Sequence, residues 1–379
     1  MKILLVGAGG YASGYVKTLL SCSDPELIFE GVVEPYYAAC STKETIDAAN
    51  IPVYATMEDF YAEHSADLAV ICTPPFLHRE QSVFALSHGS YVLCEKPIAP
   101  TVEEAEQMLE AERHYGRFLA IGYQWSYSDA IQALKRDILN GVLGAPISLK
   151  TAISCPRKRA YYARGTGWGG KISKNGVMIL DSIASNACAH YLHNMFFLLG
   201  ASMETSAEVS DLRADCLRAN DIENFDTCSI QMKTSNGIPL YFIASHAAEK
   251  QKNPEFIYTF ENAVVSFSED DGSCIKAVFS DGSTKCYGDP FEQQFKKMFD
   301  CLEAIQSGTQ PICTVKTALP HTKLIKRLYQ GIPIQNFSKT LIGVNKETDG
   351  VFVQGLFGAM YDVYEKEALL SDVHPELLD

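Results

Sequence analysis

No basic tract, no long apolar run and no CxxC pair occurs anywhere in the 379-residue sequence. Each absence removes a class of function. Without clustered Lys and Arg, and with a net charge of −14, nothing is there to hold a nucleic-acid backbone or an anionic membrane. No stretch reaches the ~18 consecutive apolar residues of a membrane span. The run Ile3-Leu4-Leu5-Val6 turns at Gly7 and is too short for the core of a signal peptide, so the expectation is a cytoplasmic protein. The 12 cysteines are scattered, several within apolar runs where a thiol acts as a small hydrophobe. That pattern excludes a zinc ribbon and a disulfide framework and fits a reducing compartment, and no metal site is expected. Internal repeats and low-complexity segments are also lacking. What is present, 47% apolar and 21% charged residues, is ordinary for a globular chain of two domains.

The first third carries a nucleotide-binding pattern. Ile3–Val6 reads as a strand buried on both faces, and Gly7-Ala8-Gly9-Gly10-Tyr11-Ala12 follows it. This matches G-x-G-x-x-G/A, with a plausible helix over Ser13–Leu20. Gly7 permits the tight turn, Gly9 lets backbone approach a pyrophosphate, and Ala12 lets helix and strand pack closely. The helix N-terminus adds unpaired N–H groups for the anion. A second strand, Leu27–Val33, ends in Glu34, which can accept hydrogen bonds from ribose hydroxyls. No Arg follows to take a 2′-phosphate, so NAD is favoured over NADP.

Strands and helices keep alternating. A short strand near Val53-Tyr54 precedes Asp67–Cys72, which runs into the loop Thr73-Pro74-Pro75-Phe76-Leu77-His78. His78 reads either as a loop contact to phosphate or ribose, or as a plain surface residue. Tyr91–Cys94 is a buried strand that stops at Glu95-Lys96-Pro97, because Pro97 cannot donate a ladder hydrogen bond. A lysine at the carboxyl end of a strand in such a sheet points into the crevice where ligands bind, whereas an exposed Glu-Lys pair is the ordinary alternative. Thr101-Val102-Glu103-Glu104 reads as a capping box opening a helix to Tyr115. Phe118–Gly122 closes the pattern. The expected fold is α/β, with an N-terminal doubly wound Rossmann domain over residues 1–122.

Residues 123–379 read differently. A helix spans Asp129 to Asn140. Asn236-Gly237 between two strand-like runs signals a hairpin, and Asp271-Gly272 and Asp281-Gly282 punctuate two more. An α+β domain with a mostly antiparallel sheet is expected. Phe291, Phe295, Met298, Phe299, Leu302 and Ile305 recur at three and four as one apolar helix face, which reads as core. Upstream, Tyr161–Gly170 looks like a glycine-hinged loop. Trp168 there suits stacking on a sugar and Arg164 a hydroxyl or carboxylate, unless the loop is simply packed on its Trp. Gly176–Gly200 lacks Pro, has helical length and ends on a glycine C-cap. On one continuous helix, Ser182, Asn186, His190 and His193 form a polar stripe, either a hydrogen-bonded structural network or a wall for a polyhydroxy substrate with one His as acid/base.

In this order, the fingerprint, Thr73-Pro74 with His78, Glu95-Lys96-Pro97 and the Gly176–Gly200 segment resemble the Gfo/Idh/MocA oxidoreductases over essentially the whole chain. The resemblance implies NAD(P)-dependent oxidation or reduction of a sugar, cyclitol or related hydroxyl compound, in a homodimer or homotetramer. It puts the catalytic lysine on Lys96 and a nicotinamide-side amide on Gln124. The usual Asn of the loop after Thr73-Pro74 is replaced by Pro75. Two registers remain for the family's Asp and the His four residues later: Asp181 with Ser185, or Asn186 with His190. His190 is favoured as acid/base because it titrates, with Asn186 orienting it or the substrate. Asp181 joins only if the helix is distorted or starts late. Tyr127, Arg164, Trp168 and His193 complete the substrate candidates. Glu95 positions either Lys96 or the nicotinamide ribose. Two rival activities fit the same residues: NAD-dependent glycoside cleavage by transient oxidation and elimination, and a non-catalytic NAD-binding regulator.

Overall fold

A computed structural model describes every residue, Met1–Asp379. The chain divides into two compact units. The first is Met1–Tyr127 with Gln293–Leu319, and the second is Ser128–Glu292 with Pro320–Asp379. The sequence alone placed one boundary at residue 122; the chain in fact returns to its first unit after residue 292.

The first unit is a six-stranded parallel sheet. Its strands are β1 (Lys2–Val6), β2 (Ile28–Val33), β3 (Val53–Tyr54), β4 (Leu68–Ile71), β5 (Tyr91–Cys94) and β6 (Leu119–Ile121), in the order β3-β2-β1-β4-β5-β6. The order reverses between β1 and β4, and ligands bind at the carboxyl ends of strands flanking such a reversal. Ile3–Val6 and Leu68–Ile71 are completely buried, which explains their uninterrupted apolar runs. Thr101 caps the helix Val102–Tyr115 as expected, its Oγ1 accepting from the Glu104 N–H at 3.2 Å.

From the returning segment, the helix Lys296–Ser307 lays Met298, Cys301, Leu302 and Ala304 into the same core as Ile3, Leu5, Tyr15 and Leu93. The expected six-residue stripe is shorter than its spacing implied. Phe291 belongs to the second unit and Phe299 is 39% exposed, whereas Phe295, the helix cap, and Ile305 do pack against this core.

The second unit is built on a nine-stranded sheet. Across it run Thr284–Gly288, Ile275–Phe279, Ala263–Phe267, Lys252–Phe260, Pro146–Ser154, Pro239–Ser245, Thr227–Thr234, Val209–Arg218 and Ile334–Asn336. All neighbours are antiparallel except two pairs, Pro146–Ser154 with Pro239–Ser245 and Val209–Arg218 with Ile334–Asn336. The Asn236-Gly237 hairpin forms as its sequence requires: Gly237 takes φ +82° and its N–H reaches the Thr234 carbonyl at 2.8 Å. Alternate residues of the central strands, among them Tyr241 and Ile243, pack under the helix Leu356–Lys366 through Leu356, Met360 and Val363. One expectation fails here. Cys274 and Cys286 are joined as a disulfide because the Ile275–Phe279 and Thr284–Gly288 strands bring their Cα atoms to 6.3 Å; ten cysteines remain free. No helix is long and apolar enough to cross a membrane.

Candidate functional site

The fingerprint turn sits at the carboxyl end of β1. Gly7 has φ +86°, and a Cβ there would lie 2.7 Å from the Cys72 carbonyl oxygen, so no other residue fits. Gly9 differs: a Cβ would meet nothing closer than Cys40 Sγ at 3.9 Å. The protein itself does not need a glycine at Gly9. The vacancy is the cradle a pyrophosphate requires, next to the start of the helix Ala12–Ser21. Gly10, at φ +57°, has no atom within 4 Å of such a Cβ. Glu34, just past β2, is held beside this turn, its Oε2 accepting from the Ala8 N–H at 3.1 Å and its Oε1 from the Tyr36 N–H at 3.0 Å. Tyr11 donates to Gln124 Oε1 at 3.2 Å, which links the fingerprint to the residue after β6. The residues present thus fit a dinucleotide: turn, open cradle, ribose-side acid and nicotinamide-side amide.

Glu95 and Lys96 end β5 with different fates. Glu95 is 5% exposed, and its Oε1 takes both the Tyr15 hydroxyl at 2.7 Å and the ammonium of Lys297. Lys297, fully buried, also donates to the Tyr11 hydroxyl at 3.1 Å and to the Gly122 carbonyl at 3.2 Å. Burial disfavours the Lys297 charge, but Glu95 outweighs it and the pKa is raised. Burial, then the Glu95 charge, pushes the Tyr15 hydroxyl up as well. The second Glu95 oxygen faces the Lys96 N–H at 3.3 Å. This decides between the two roles left open for Glu95. Its carboxylate is spent inside the protein, so it positions the Lys96 segment and is removed from the cofactor contacts. Lys96 is half-buried at the strand end, before a cis bond to Pro97.

His78 is corrected in the same way. It is fully buried, with Nδ1 2.8 Å from the Pro97 carbonyl and Nε2 2.8 Å from that of Thr73. Burial lowers its pKa against the pull of those carbonyls. Its ring ties the turn after β4, Thr73-Pro74 included, to the turn that carries Lys96, and no edge is left for a phosphate. Tyr127 is also corrected. It is 1% exposed and its hydroxyl bonds the Cys313 carbonyl at 3.0 Å, so it is core rather than substrate wall.

In the second unit the Gly176–Gly200 stretch is not one helix. Val177–Met178 is a short strand, Ser182 is the cap, Ile183–Ala187 forms a π turn, and the α-helix runs only over Ala189–Leu198. A π turn accommodates one extra residue, which rotates everything after it by about 100° relative to a continuous helix. The expected stripe is therefore broken. Ser182 is buried in a capping box with Ser185. His193 is 1% exposed, near Phe197, and burial followed by the charges of His321 and Lys135 holds its pKa well below the usual imidazole value. It is an interior residue and not a substrate contact. Asn186 and His190 are the half-buried members.

The segment starts late, with Asp181 one residue before its cap. Asp181 is 6% exposed and accepts from Arg164 Nη2 at 2.9 Å, Gly170 N–H at 2.7 Å and Asn186 Nδ2 at 2.7 Å. Three donors thus meet on one carboxylate. They also fix the Asn186 amide, with Nδ2 toward Asp181 and Oδ1 turned away. Leu180, immediately before, has φ +51°. That left-handed conformation costs a non-glycine residue about 1–2 kcal/mol. Its carbonyl is held by Ser185 and by the Tyr329 hydroxyl at 3.4 Å. Such strain is found where a side chain must be aimed. Arg164 is clasped between the rings of Tyr161 and Trp168, 3.9 and 4.2 Å from their centres. The glycine-hinged loop is thus packed through Trp168, and Arg164 serves Asp181.

Residues 1–123 match the family model described as oxidoreductase family, NAD-binding Rossmann fold. That stretch is thus similar to the NAD-binding domain of the Gfo/Idh/MocA oxidoreductases. It is 27% identical over 154 residues to an inositol 2-dehydrogenase of Burkholderia multivorans, covering 40% of this chain and 45% of that protein. It is 37% identical over 151 residues to a D-glucoside 3-dehydrogenase of Escherichia coli, covering 38% and 40%. The match thus spans less than half the length of these curated relatives. The fold as a whole resembles that of an Agrobacterium radiobacter oxidoreductase solved with NAD+, L-tartaric acid and magnesium, at TM-score 0.72 and 17% identity over 87% of this chain and 95% of that one. A levoglucosan dehydrogenase solved with NADH also has TM-score 0.72, at 15% identity over 87% and 96%.

Lys297, Tyr15, Leu180 and Tyr329 were missed by sequence reasoning. Leu180 and Tyr329 carry no local signal. Lys297 did carry one, as a charged residue beside an otherwise apolar helix face, but its partner lies 202 positions away.

Proposed function

We propose that the protein is an NAD-dependent dehydrogenase acting on a hydroxyl-bearing carbon of a sugar, cyclitol or sugar derivative. The observation that carries this reading is the open cradle at Gly9 on the same sheet edge as Lys96, whose segment Glu95 and His78 hold in place. Gly7, Gly9, Gly10, Tyr11, Ala12, Glu34, Thr73, Pro74 and Gln124 are the residues to hold the dinucleotide. Bound there, the nicotinamide supplies a hydride acceptor. Lys96 donates a hydrogen bond to the substrate oxygen and stabilises the negative charge that develops on it. His190 takes the hydroxyl proton, and Asn186, fixed by Asp181, orients the substrate hydroxyl. Arg164 positions Asp181. The relatives' names support a polyol substrate class.

A homodimer or homotetramer is supported by the outer strands of the nine-stranded sheet, where the cross-strand pair Val264 and Val278 is 43% exposed on each side. A cytoplasmic location is supported by the ten free cysteines.

The test is to incubate the protein with NAD+ and a panel of sugars, cyclitols and glycosides, following both NADH absorbance and released aglycone. NADH is expected to accumulate, and Lys96→Ala to lower kcat about 10²–10³-fold while NAD binding persists. Aglycone release without NADH would replace this reading with elimination chemistry. Bound NAD with no turnover on any substrate would replace it with a regulator.

A further inference from the structure

Cys155 follows directly on the strand Pro146–Ser154, and Cys188 ends the π turn Ile183–Ala187. Their Sγ atoms lie 3.6 Å apart. Cys188 is buried and Cys155 half-buried. The Cys155–Arg157 segment is strapped alongside Ser245–His246: the Cys155 N–H reaches the Ser245 carbonyl at 2.9 Å and the Arg157 N–H that of His246 at 3.1 Å. This sets two basic side chains, His246 and Arg157, against Cys155. The His246 ring is itself held, 2% exposed, with Nδ1 3.1 Å from the Tyr162 hydroxyl.

The two sulfurs are not equivalent. The Cys188 contact pulls the Cys155 thiol well down, burial opposes that, and His246 and Arg157 add to the lowering. Burial, followed by the Cys155 contact, pushes Cys188 well up. The pair is thus asymmetric, with His246 and Arg157 acting on the Cys155 side.

We infer that Cys155 and Cys188 form a peroxide-reactive dithiol, with Cys155 as the attacking sulfur and Cys188 as the resolving one. Cys155 attacks one oxygen of hydrogen peroxide; the S–O bond forms, the O–O bond breaks, and hydroxide leaves to be protonated by solvent. The Cys188 sulfur then attacks the sulfenic acid. The S–S bond forms, the S–O bond breaks, and water departs with the Cys188 proton. The sulfur pair loses two electrons and the peroxide gains them. The product ties the end of the Pro146–Ser154 strand to the end of the π turn, two residues from Asn186. The inference is independent of the dehydrogenase reading.

The test treats the full-length protein with stoichiometric hydrogen peroxide, blocks remaining thiols before denaturation, and maps peptides without reduction. A Cys155–Cys188 cross-link is expected, reversed by dithiothreitol, with the pre-existing Cys274–Cys286 bond as an internal reference. In Cys188→Ser, dimedone is expected to label Cys155; in Cys155→Ser, Cys188 is expected to stay unlabelled. His246→Gln should slow iodoacetamide alkylation of Cys155 about tenfold at neutral pH. The inference is overturned if peroxide leaves both thiols intact, if either cross-links elsewhere first, or if Cys155 is alkylated no faster than Cys22.

Discussion

Both units bury carboxylates among donors, and two of these, Glu95 in the first and Asp181 in the second, are solved differently. In the first, Glu95 is matched by a lysine from the returning segment and by a tyrosine from the fingerprint helix. In the second, Asp181 is matched within 17 residues by Arg164, the Gly170 N–H and Asn186. The Glu95 carboxylate bonds only to protein groups, and its network reaches the surface one step further out, where Lys297 donates to the hydroxyl of Tyr11, which is 40% exposed. The Asp181 cluster ends in Asn186, half-buried, so its order is passed on to a group that can meet a ligand. A buried acid is therefore not by itself a sign of catalysis; the two differ in how many bonds separate the carboxylate from an accessible group.

The sharpest way to break this contrast is Lys297→Met. It leaves the Glu95 carboxylate buried without a counter-charge, which costs about 3–5 kcal/mol. Urea unfolding should show that loss, and adding Glu95→Gln in the double mutant should return much of it. If the single mutant unfolds at the native midpoint, the Glu95 network is not what holds this edge.

Asp181→Asn should behave the other way round. Arg164 loses its carboxylate but stays clasped between two rings, so stability falls by about 1–3 kcal/mol. Turnover should fall further, about 10²-fold, because Asn186 is no longer aimed. Equal losses in both measurements would make Asp181 a structural residue like Glu95.

A smaller effect comes from Glu112, a part-buried carboxylate with no cation held against it as Lys297 is against Glu95. Burial raises its pKa to about 7, against the pull of the Leu119 N–H and Arg113. An acid with a raised folded pKa contributes stability that is complete below its unfolded value, about 4.3, and is lost as pH rises through 7. Between pH 5 and pH 8 the protein should lose about 1–3 kcal/mol through this group. Thermal melts of Glu112→Gln should lack that component; parallel pH profiles for the two proteins would rule it out.

Much of the first unit was legible because its signals are local. The apolar runs of β1 and β4, the glycines of the turn and the Thr101 cap each specify structure within a few residues. The hairpin at Asn236-Gly237 was legible for the same reason. The stretch Gly176–Gly200 was not. Its composition supports a helix throughout, and nothing local announces that Leu180 takes a left-handed conformation or that Ile183–Ala187 winds as a π turn. That one extra residue displaced Ser182 and His193 from the face assigned to them and brought Asp181 to Asn186. Two registers five residues apart had marked the distortion without locating it. His78, Glu95 and Tyr127 were misjudged for a different reason. They are polar residues near a binding edge, and only the three-dimensional packing shows whether their partners are ligand or protein.

The return of residues 293–319 to the first unit has a consequence in time. Glu95 is synthesised 202 residues before Lys297. At about 5–20 residues per second, that separation is roughly 10–40 s. For that interval the nascent sheet has its nucleotide turn, its strands and its buried acid, but not the cation that neutralises it. The sheet of the first unit is thus made well before the segment that completes it.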